Sequence, residues 1–158
     1  MTLQALIAYH RWATERTLES CATLSLEEYL RDLGGSFPSV RDTLAHGYMA
    51  DNAWLHRVRG QAYARPTPEQ LPSDLETLVA QWRVALRDWE ALIATRRSSD
   101  AIAYRTFDGQ SFSSPFSEIV GHVVNHGSYH RGQVALMLRQ MGHAAVSTDL
   151  IAFTRLPA

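Results

Sequence analysis

The chain has 158 residues, 46% of them hydrophobic and 20% charged, which is the ordinary composition of a single globular domain. Its 15 basic residues are all arginine, and 16 acidic residues balance them to a net charge of −1. The absence of lysine excludes a catalytic lysine, a Schiff base and a Walker-type phosphate lysine, and the near-neutral charge argues against a broad nucleic-acid surface. The single cysteine, Cys21, excludes an internal disulfide and a multi-cysteine zinc site, so the seven histidines are the informative residues.

The N-terminal segment bears on where the protein resides. Polar and charged residues recur every few positions in residues 1–20, so the apolar core of a signal peptide is missing. The segment is also far from the run of about 18 apolar residues that a membrane span needs. We therefore expect a cytoplasmic protein with no membrane or nucleic-acid partner, folded as one domain over residues 1–158.

Apolar residues at helical spacing predict four long helices and one short one. In chain order the predicted helices are Leu3–Cys21, Leu24–Leu33 (the short one), Ser39–Arg59, Ser73–Ile93 and Ser114–Met141. Two of the starts have the spacing of a capping box, Ser25 with Glu28 and Ser73 with Glu76. A proline-rich connector at residues 64–68 separates the second and third long helices.

The helical spacing of apolar residues is interrupted before the last predicted helix. Residues 101–107 and 110–112 flank Asp108 and Gly109, a favoured two-residue turn, and predict a short hairpin. The fourth long helix is then predicted to begin with Ser114 as N-cap and Pro115 at the first helical position. Gly142 is predicted to end this helix, and Gly60 to end the second long helix. The expected fold is all-α: a four-helix bundle with a short β-hairpin between helices three and four, in which sites form between facing helices.

Three histidines follow one another at intervals of four residues on the predicted fourth helix. Rings four residues apart lie about 40° apart around the axis, so two of them can bind one metal ion. His130 falls within the buried stripe of this helix, His126 on its flank and His122 further toward solvent, which favours His126 and His130 as the pair. The alternative is that hydrogen bonds or solvent satisfy these rings, as they satisfy most helical histidines.

A third ligand must come from another helix, because catalytic zinc sites commonly have three protein ligands and one open position. His46 lies at the edge of the inward stripe of the second long helix and is the favoured candidate. His10 faces inward on the first helix and remains an alternative. His56 points away from the inward stripe, and His143 lies beyond the end of the fourth helix.

The segment HVVNHGSYHRGQV at 122–134, followed by LRQMG at 138–142, resembles the signature helix of the DinB/YfiT-like family of metalloenzymes. Weaker matches follow the family order: YHRWA at 9–13, SVRDTLAH at 39–46, DG at 108–109 and TDLI at 148–151. The resemblance implies a bundle, often dimeric, whose divalent metal is bound by His46, His126 and His130. Many members have Asn at the position of His10, which is therefore either an extra polar group of the pocket or an ordinary substitution.

Seven residues are candidates for the pocket around this metal. They are Tyr9, His10, Trp12, Asp51, Trp54, His122 and Arg131. Asp51 could orient a ligand imidazole, or it could bond a tyrosine or an arginine. Arg131 could bind a substrate carboxylate or pair with a surface acid, and the aromatic residues could wall a pocket or belong to the core.

The resemblance also implies a class of reaction. Family members with assigned activities include S-transferases that use thiols such as bacillithiol, and a mycothiol-dependent maleylpyruvate isomerase. We therefore expect a homodimeric, metal-dependent transferase that adds a low-molecular-weight thiol to an electrophilic small molecule, with zinc, nickel or iron as the metal and a role in detoxification or stress. A metal-water hydrolase, a thiol-dependent isomerase and a non-catalytic, stress-associated metal-binding protein are the alternatives.

Overall fold

Helices dominate the structure, and one short hairpin interrupts them. A computed structural model describes residues 1–157. Its elements are α1 (Leu3–Cys21), α2 (Leu26–Leu30), α3 (Val40–Val58), a 3₁₀ turn (Pro68–Gln70), α4 (Leu75–Ile93), β1 (Ala101–Arg105), β2 (Ser111–Pro115), α5 (Phe116–Gln140) and α6 (Leu150–Phe153). A mostly helical chain with a hairpin before the last long helix confirms the predicted class at this level.

The four long helices pack as a ring of neighbours. Helix α1 contacts α4 and α5, and α3 contacts the same two helices from the other side. Their apolar faces form one core, in which Trp89 and Phe116 are the largest fully buried side chains. Across residues 1–157 no helix is both long enough and apolar enough to cross a bilayer. The contact between α3 and α5 is the one that brings histidines together.

Local capping signals set several helix ends as predicted. The range Leu3–Cys21 is confirmed at both ends. The capping box of Ser25 and Glu28 is confirmed as well, although α2 is shorter than expected because the backbone of Arg31 is already extended. Gly142 ends the last long helix with φ +84°, a left-handed conformation that glycine adopts at low cost, and Gly60 ends α3 in the same way.

The predicted N-cap of the third long helix is wrong by one residue. Asp74, and not Ser73, caps α4, and its carboxylate accepts a hydrogen bond of 2.8 Å from the backbone N–H of Thr77. An anionic acceptor at a helix N-terminus is favoured by the helix dipole as well as by the hydrogen bond, so the aspartate replaces the serine one position earlier.

The start of the fourth long helix also differs from the prediction. Ser114 lies in strand β2, where it pairs with Ile102, and Pro115 is the residue that precedes the helix. The backbone N–H of Phe116 donates to the carbonyl of Asp100, so a neighbouring segment satisfies the first helical donors and no side-chain cap is needed.

The hairpin lies where it was predicted, but its connection is longer than two residues. The N–H of Thr106 donates to the carbonyl of Gln110 at 2.9 Å, which leaves three residues between this closing pair. Gly109 takes φ +87°, the left-handed residue that a three-residue hairpin connection requires. Strand β1 packs on α3, so the hairpin forms a wall beside the helices that carry the histidines.

Candidate metal centre

Three imidazole rings converge between α3 and α5. The Nε2 atom of His126 lies 3.1 Å from Nε2 of His46 and 3.1 Å from Nε2 of His130. Their possible ligand atoms all lie within 4.8 Å of one another. We call these three residues the histidine centre. The structure thus brings together the two histidines of the fourth long helix and His46, whereas His10 lies elsewhere.

The spacing of these nitrogens suits a divalent cation. Imidazole nitrogens bind zinc at about 2.0–2.1 Å, and two of them 3.1 Å apart then subtend an angle of about 100° at the ion. Such an angle lies between the tetrahedral and octahedral values. Three nitrogen ligands in tetrahedral or octahedral coordination leave at least one further position open. The donor set therefore fits a divalent metal ion with a free position.

The rings are neutral at physiological pH, as metal ligands must be. Burial, and then the neighbouring imidazoles and the Arg65 charge, lower the pKa of His46 to about 4. Burial is also the main reason that the pKa of His126 falls to about 4, and it lowers the pKa of His130. Each ring can therefore offer a lone pair without first losing a proton.

Two residues that the sequence interpretation did not assign hold these rings in place. The Oε1 atom of Gln133 accepts a hydrogen bond of 2.7 Å from Nδ1 of His130, which leaves Nε2 of that ring unprotonated. Phe37 stacks on His46 with ring centroids 4.3 Å apart. Gln133 could have been found from sequence, since it follows His130 by three residues, but nothing local points to Phe37.

The histidine centre opens into a cleft of about 610 Å³. Two pocket candidates lie on it: Trp54, from α3, and His122, one turn before His126, whose rings meet edge to face at 5.1 Å. Burial and the charge of Arg57 lower the pKa of His122. His46 and His126 also line this cleft, so a ligand in it would contact the histidine centre.

A buried polar cluster, formed by His10, Asp51, Trp82 and Arg131, lies beneath the histidine centre. The carboxylate of Asp51 accepts hydrogen bonds from Nε2 of His10 at 3.0 Å and from Nε1 of Trp82 at 2.7 Å. The guanidinium of Arg131 lies 3.3 Å from Nδ1 of His10. Nε2 of His10 faces the carboxylate and Nδ1 faces the guanidinium, so the ring bridges Asp51 and Arg131.

The structure places three of the pocket candidates in this cluster. The carboxylate of Asp51 bonds His10 and Trp82, and among the described residues it bonds no ring of the histidine centre, no tyrosine and no arginine. Arg131 is only 5% exposed and donates to Ser128 Oγ at 2.9 Å. His10 is 1% exposed, and with Asp51 and Arg131 it lines a small void that His126 and His130 also border.

The remaining aromatic candidates, Tyr9 and Trp12, pack away from the cleft. Both rings contact Phe153 of α6, at centroid distances of 5.8 and 5.5 Å. The hydroxyl of Tyr9 donates to the carbonyl of Thr148 at 2.9 Å and thereby fastens the C-terminal segment to α1. Cys21 is fully buried, and burial raises its pKa to about 12.

Comparisons with known proteins agree with the fold and with the signature helix. The chain is 29% identical over 152 residues to the protein DinB of Bacillus subtilis (strain 168), an alignment that covers 91% of this chain and 88% of that protein. The crystal structure of a DinB-like protein from Bacillus cereus superposes with a TM-score of 0.68 at 16% identity, over 90% of this chain and 94% of that one. The sequence profile of the DinB family matches residues 1–157, and the chain therefore belongs to the DinB family.

Proposed function

We propose that the protein binds a divalent ion of zinc, nickel or iron through His46, His126 and His130 and transfers a low-molecular-weight thiol to an electrophilic small molecule. The observation that carries the proposal is the convergence of three imidazole rings, two of which, His46 and His126, line an open cleft. Three protein ligands with a free position are typical of catalytic zinc sites, whereas structural sites are closed by four.

The nucleophile in this proposal comes from outside the chain. Cys21 is buried, and the chain has no lysine. A divalent ion with three neutral imidazole ligands would favour the thiolate form of a bound thiol, which is the reactive form. His46 and His126 present their nitrogens toward the cleft, and Gln133 keeps Nε2 of His130 free. The cleft walls would orient the electrophile.

Water on the same site is the alternative nucleophile. Activation of water is aided by a general base, usually a carboxylate or a histidine. Among the described residues the cleft offers Asp108, which already accepts hydrogen bonds from Thr106 and Gln110, and His122, whose pKa is lowered by burial. A thiol that ionises on the metal requires no such base, whereas a hydrolase would use His122.

The proposal includes a four-helix bundle that acts as a homodimer on small molecules in detoxification or a stress response. Tyr129 and Leu136, seven residues apart on α5, are 62% and 57% exposed and give this helix an apolar outer face. Size-exclusion chromatography with light scattering tests the dimer, and a mass of 17.7 kDa would contradict it.

The first experiment tests the metal site. Protein purified without a chelating tag is analysed for bound metal beside His126→Ala and the matched control His56→Ala. His56 lies on α3 with its Nδ1 donating to the carbonyl of Asn52, outside the centre. We expect wild type and control to carry about one ion per chain and His126→Ala to lose at least nine-tenths of it. Equal metal content in all three proteins would contradict the site.

The second experiment tests the reaction with 1-chloro-2,4-dinitrobenzene and 2-mercaptoethanol. The sulfur forms a bond to the ring carbon, the carbon–chlorine bond breaks, chloride leaves and the thiol proton passes to solvent. We expect consumption to require both metal and thiol. Turnover of test esters without added thiol would support a hydrolase instead. Chelation that lowers the melting temperature when no turnover is found would support a structural site.

A further inference from the structure

Two arginine side chains stand on the wall of the cleft that contains the histidine centre. Arg57 comes from the last turn of α3, and Arg65 comes from the connector that follows. Both also line an adjoining hollow of about 560 Å³, walled by Tyr63, Tyr104 and the hairpin. The two guanidinium groups therefore lie where the cleft and this hollow meet.

The guanidinium of Arg57 is held in a fixed position. It lies 4.6 Å from the ring centroid of Trp54 and 5.0 Å from that of Phe107. Its Nε atom donates to the carbonyl of Arg105 at 3.1 Å, which leaves the two terminal nitrogens free to bind another group. Arg65 lies 5.7 Å from the same Phe107 ring. Stacking and one hydrogen bond thus prepare a cationic surface without neutralising it.

Neither arginine has an acidic partner within residues 1–157. Six of the other thirteen arginines pair with carboxylates, Arg11, Arg59 and Arg83 among them. No ion pair among the described residues includes Arg57 or Arg65. Asp108, on the same cleft, is engaged by Thr106 and Gln110. In a chain of net charge −1, two uncompensated positive charges on one cleft wall indicate an anionic ligand.

We infer that the cleft binds a carboxylate-bearing small molecule, with the carboxylate on Arg57 and Arg65 and the reactive atom at the histidine centre. The planar guanidinium fork matches a carboxylate through two parallel hydrogen bonds. Trp54 and Phe107 supply apolar surface for the carbon skeleton between the two ends. This inference rests on the proposed function, because it gives that reaction a substrate class. The carboxylate belongs either to the thiol or to the electrophile.

The deciding measurement does not depend on the metal. Chelator-treated protein is titrated with 2-naphthoate and with the uncharged 2-naphthamide by calorimetry. We expect wild type to bind the carboxylate roughly tenfold to a hundredfold more tightly, as expected for hydrogen bonds between charged groups. We expect the double variant Arg57→Gln/Arg65→Gln to lose this preference for the carboxylate. The control variant Arg87→Gln, which changes an exposed arginine of α4, should keep it. Equal affinity of wild type for the two probes overturns the inference, whatever the metal content.

Two further arms assign the carboxylate to its source. In cobalt-loaded protein, 3-mercaptopropionate and its methyl ester are compared by the thiolate-to-cobalt absorption band. The diagnostic quantity is the ratio of the two dissociation constants in wild type against the double variant, because the thiols differ in acidity. In the other arm, 4-chloro-3,5-dinitrobenzoate and 1-chloro-2,4-dinitrobenzene react with 2-mercaptoethanol. The ratio of their two reaction rates in wild type is compared with the same ratio in the double variant. A ratio that falls at least tenfold in either arm supports the inference and names the source, and unchanged ratios in both contradict it.

Discussion

The histidine centre and the buried polar cluster beneath it are built from the same pair of helices, α3 and α5, with α1 and α4 contributing only to the cluster. In the cluster every contact joins a donor to an acceptor: Asp51 accepts from His10 and Trp82, and His10 accepts from Arg131. In the centre three like nitrogens face one another. Paired donors and acceptors stabilise the fold, although Nε of Arg131 has no hydrogen-bond partner, whereas a group of like acceptors needs a ligand to complete it.

The largest expected change in unfolding free energy comes from a substitution in the buried polar cluster. Asp51→Ala leaves the buried N–H groups of His10 and Trp82 without an acceptor and removes the anion nearest the Arg131 charge. We expect the metal-free protein to lose about 3–5 kcal/mol of unfolding free energy in urea. His46→Ala, on the same helix but in the histidine centre, should cost less than half of this. Similar losses of unfolding free energy for the two variants would contradict the distinction between a structural cluster and a ligand-binding centre.

The next effect tests how closely α5 approaches the cluster. A Cβ at Gly127 would lie 2.6 Å from Cε1 of His10 and 2.7 Å from a terminal nitrogen of Arg131. We expect Gly127→Ala to destabilise the protein by about 1–3 kcal/mol, because overpacking outweighs the better helix propensity of alanine.

The matched control for this substitution lies on the same helix. Gly132 has nothing within 4 Å of its Cβ position. Gly132→Ala should therefore stabilise the protein by about 0.5–1 kcal/mol in the same urea titrations. Two changes of equal sign would show that helix propensity, and not contact with His10, governs both sites.

The third effect belongs to the histidine centre alone. Gln133→Ala frees Nδ1 of His130 and with it the orientation of the ring. We expect metal affinity to fall roughly tenfold to a hundredfold in competition with a chromogenic chelator, while the metal-free stability changes by less than about 0.5 kcal/mol. Gln140→Ala, exposed near the end of α5, should alter neither quantity. A stability loss without an affinity loss would assign Gln133 to the structural region instead.

The smallest effect is a dependence on pH. The pKa values of His46 and His126 are lowered to about 4 in the folded protein, mainly by burial, and rise to their ordinary value near 6.5 on unfolding. Between pH 6.5 and 4 the unfolded state therefore binds more protons, so the stability of metal-free protein falls as the pH falls. We expect a decline of about 1 kcal/mol, because both rings are part-exposed and solvent screens the effect.

The pH effect can be isolated by a double variant. His46→Asn/His126→Asn removes both titrating rings but keeps polar side chains in the cleft. Its unfolding free energy should show a shallower slope than wild type over the same pH window. Parallel slopes would mean that other groups produce the acid sensitivity of the metal-free protein.

Features decided by a few neighbouring residues were predictable from the sequence. The ends of α1, the glycine stop of α5 and the four-residue spacing of His126 and His130 all depend on contacts within one or two turns. Features decided by competition between segments were not. The backbone carbonyl of Asp100, sixteen residues before Phe116, replaces the expected Ser114 cap, and no local sequence pattern indicates a contact over that distance.

The choice between His10 and His46 illustrates the same limit. Both lie on inward stripes, and periodicity fixes the direction of a side chain but not its depth in the core. Depth is set by how closely helices approach, and the missing side chain at Gly127 lets α5 rest on His10. Only the family resemblance favoured His46 decisively.

The backbone bonds that open α5 have a consequence for how the cleft changes in evolution. Phe116 and Ser117 donate to the carbonyls of Asp100 and Ser98, so the two ends of the hairpin are tied together at its base. We therefore expect changes of length or sequence beyond these bonds, including changes at Thr106, Phe107 and Asp108, to alter ligand preference without moving the register of His126 and His130.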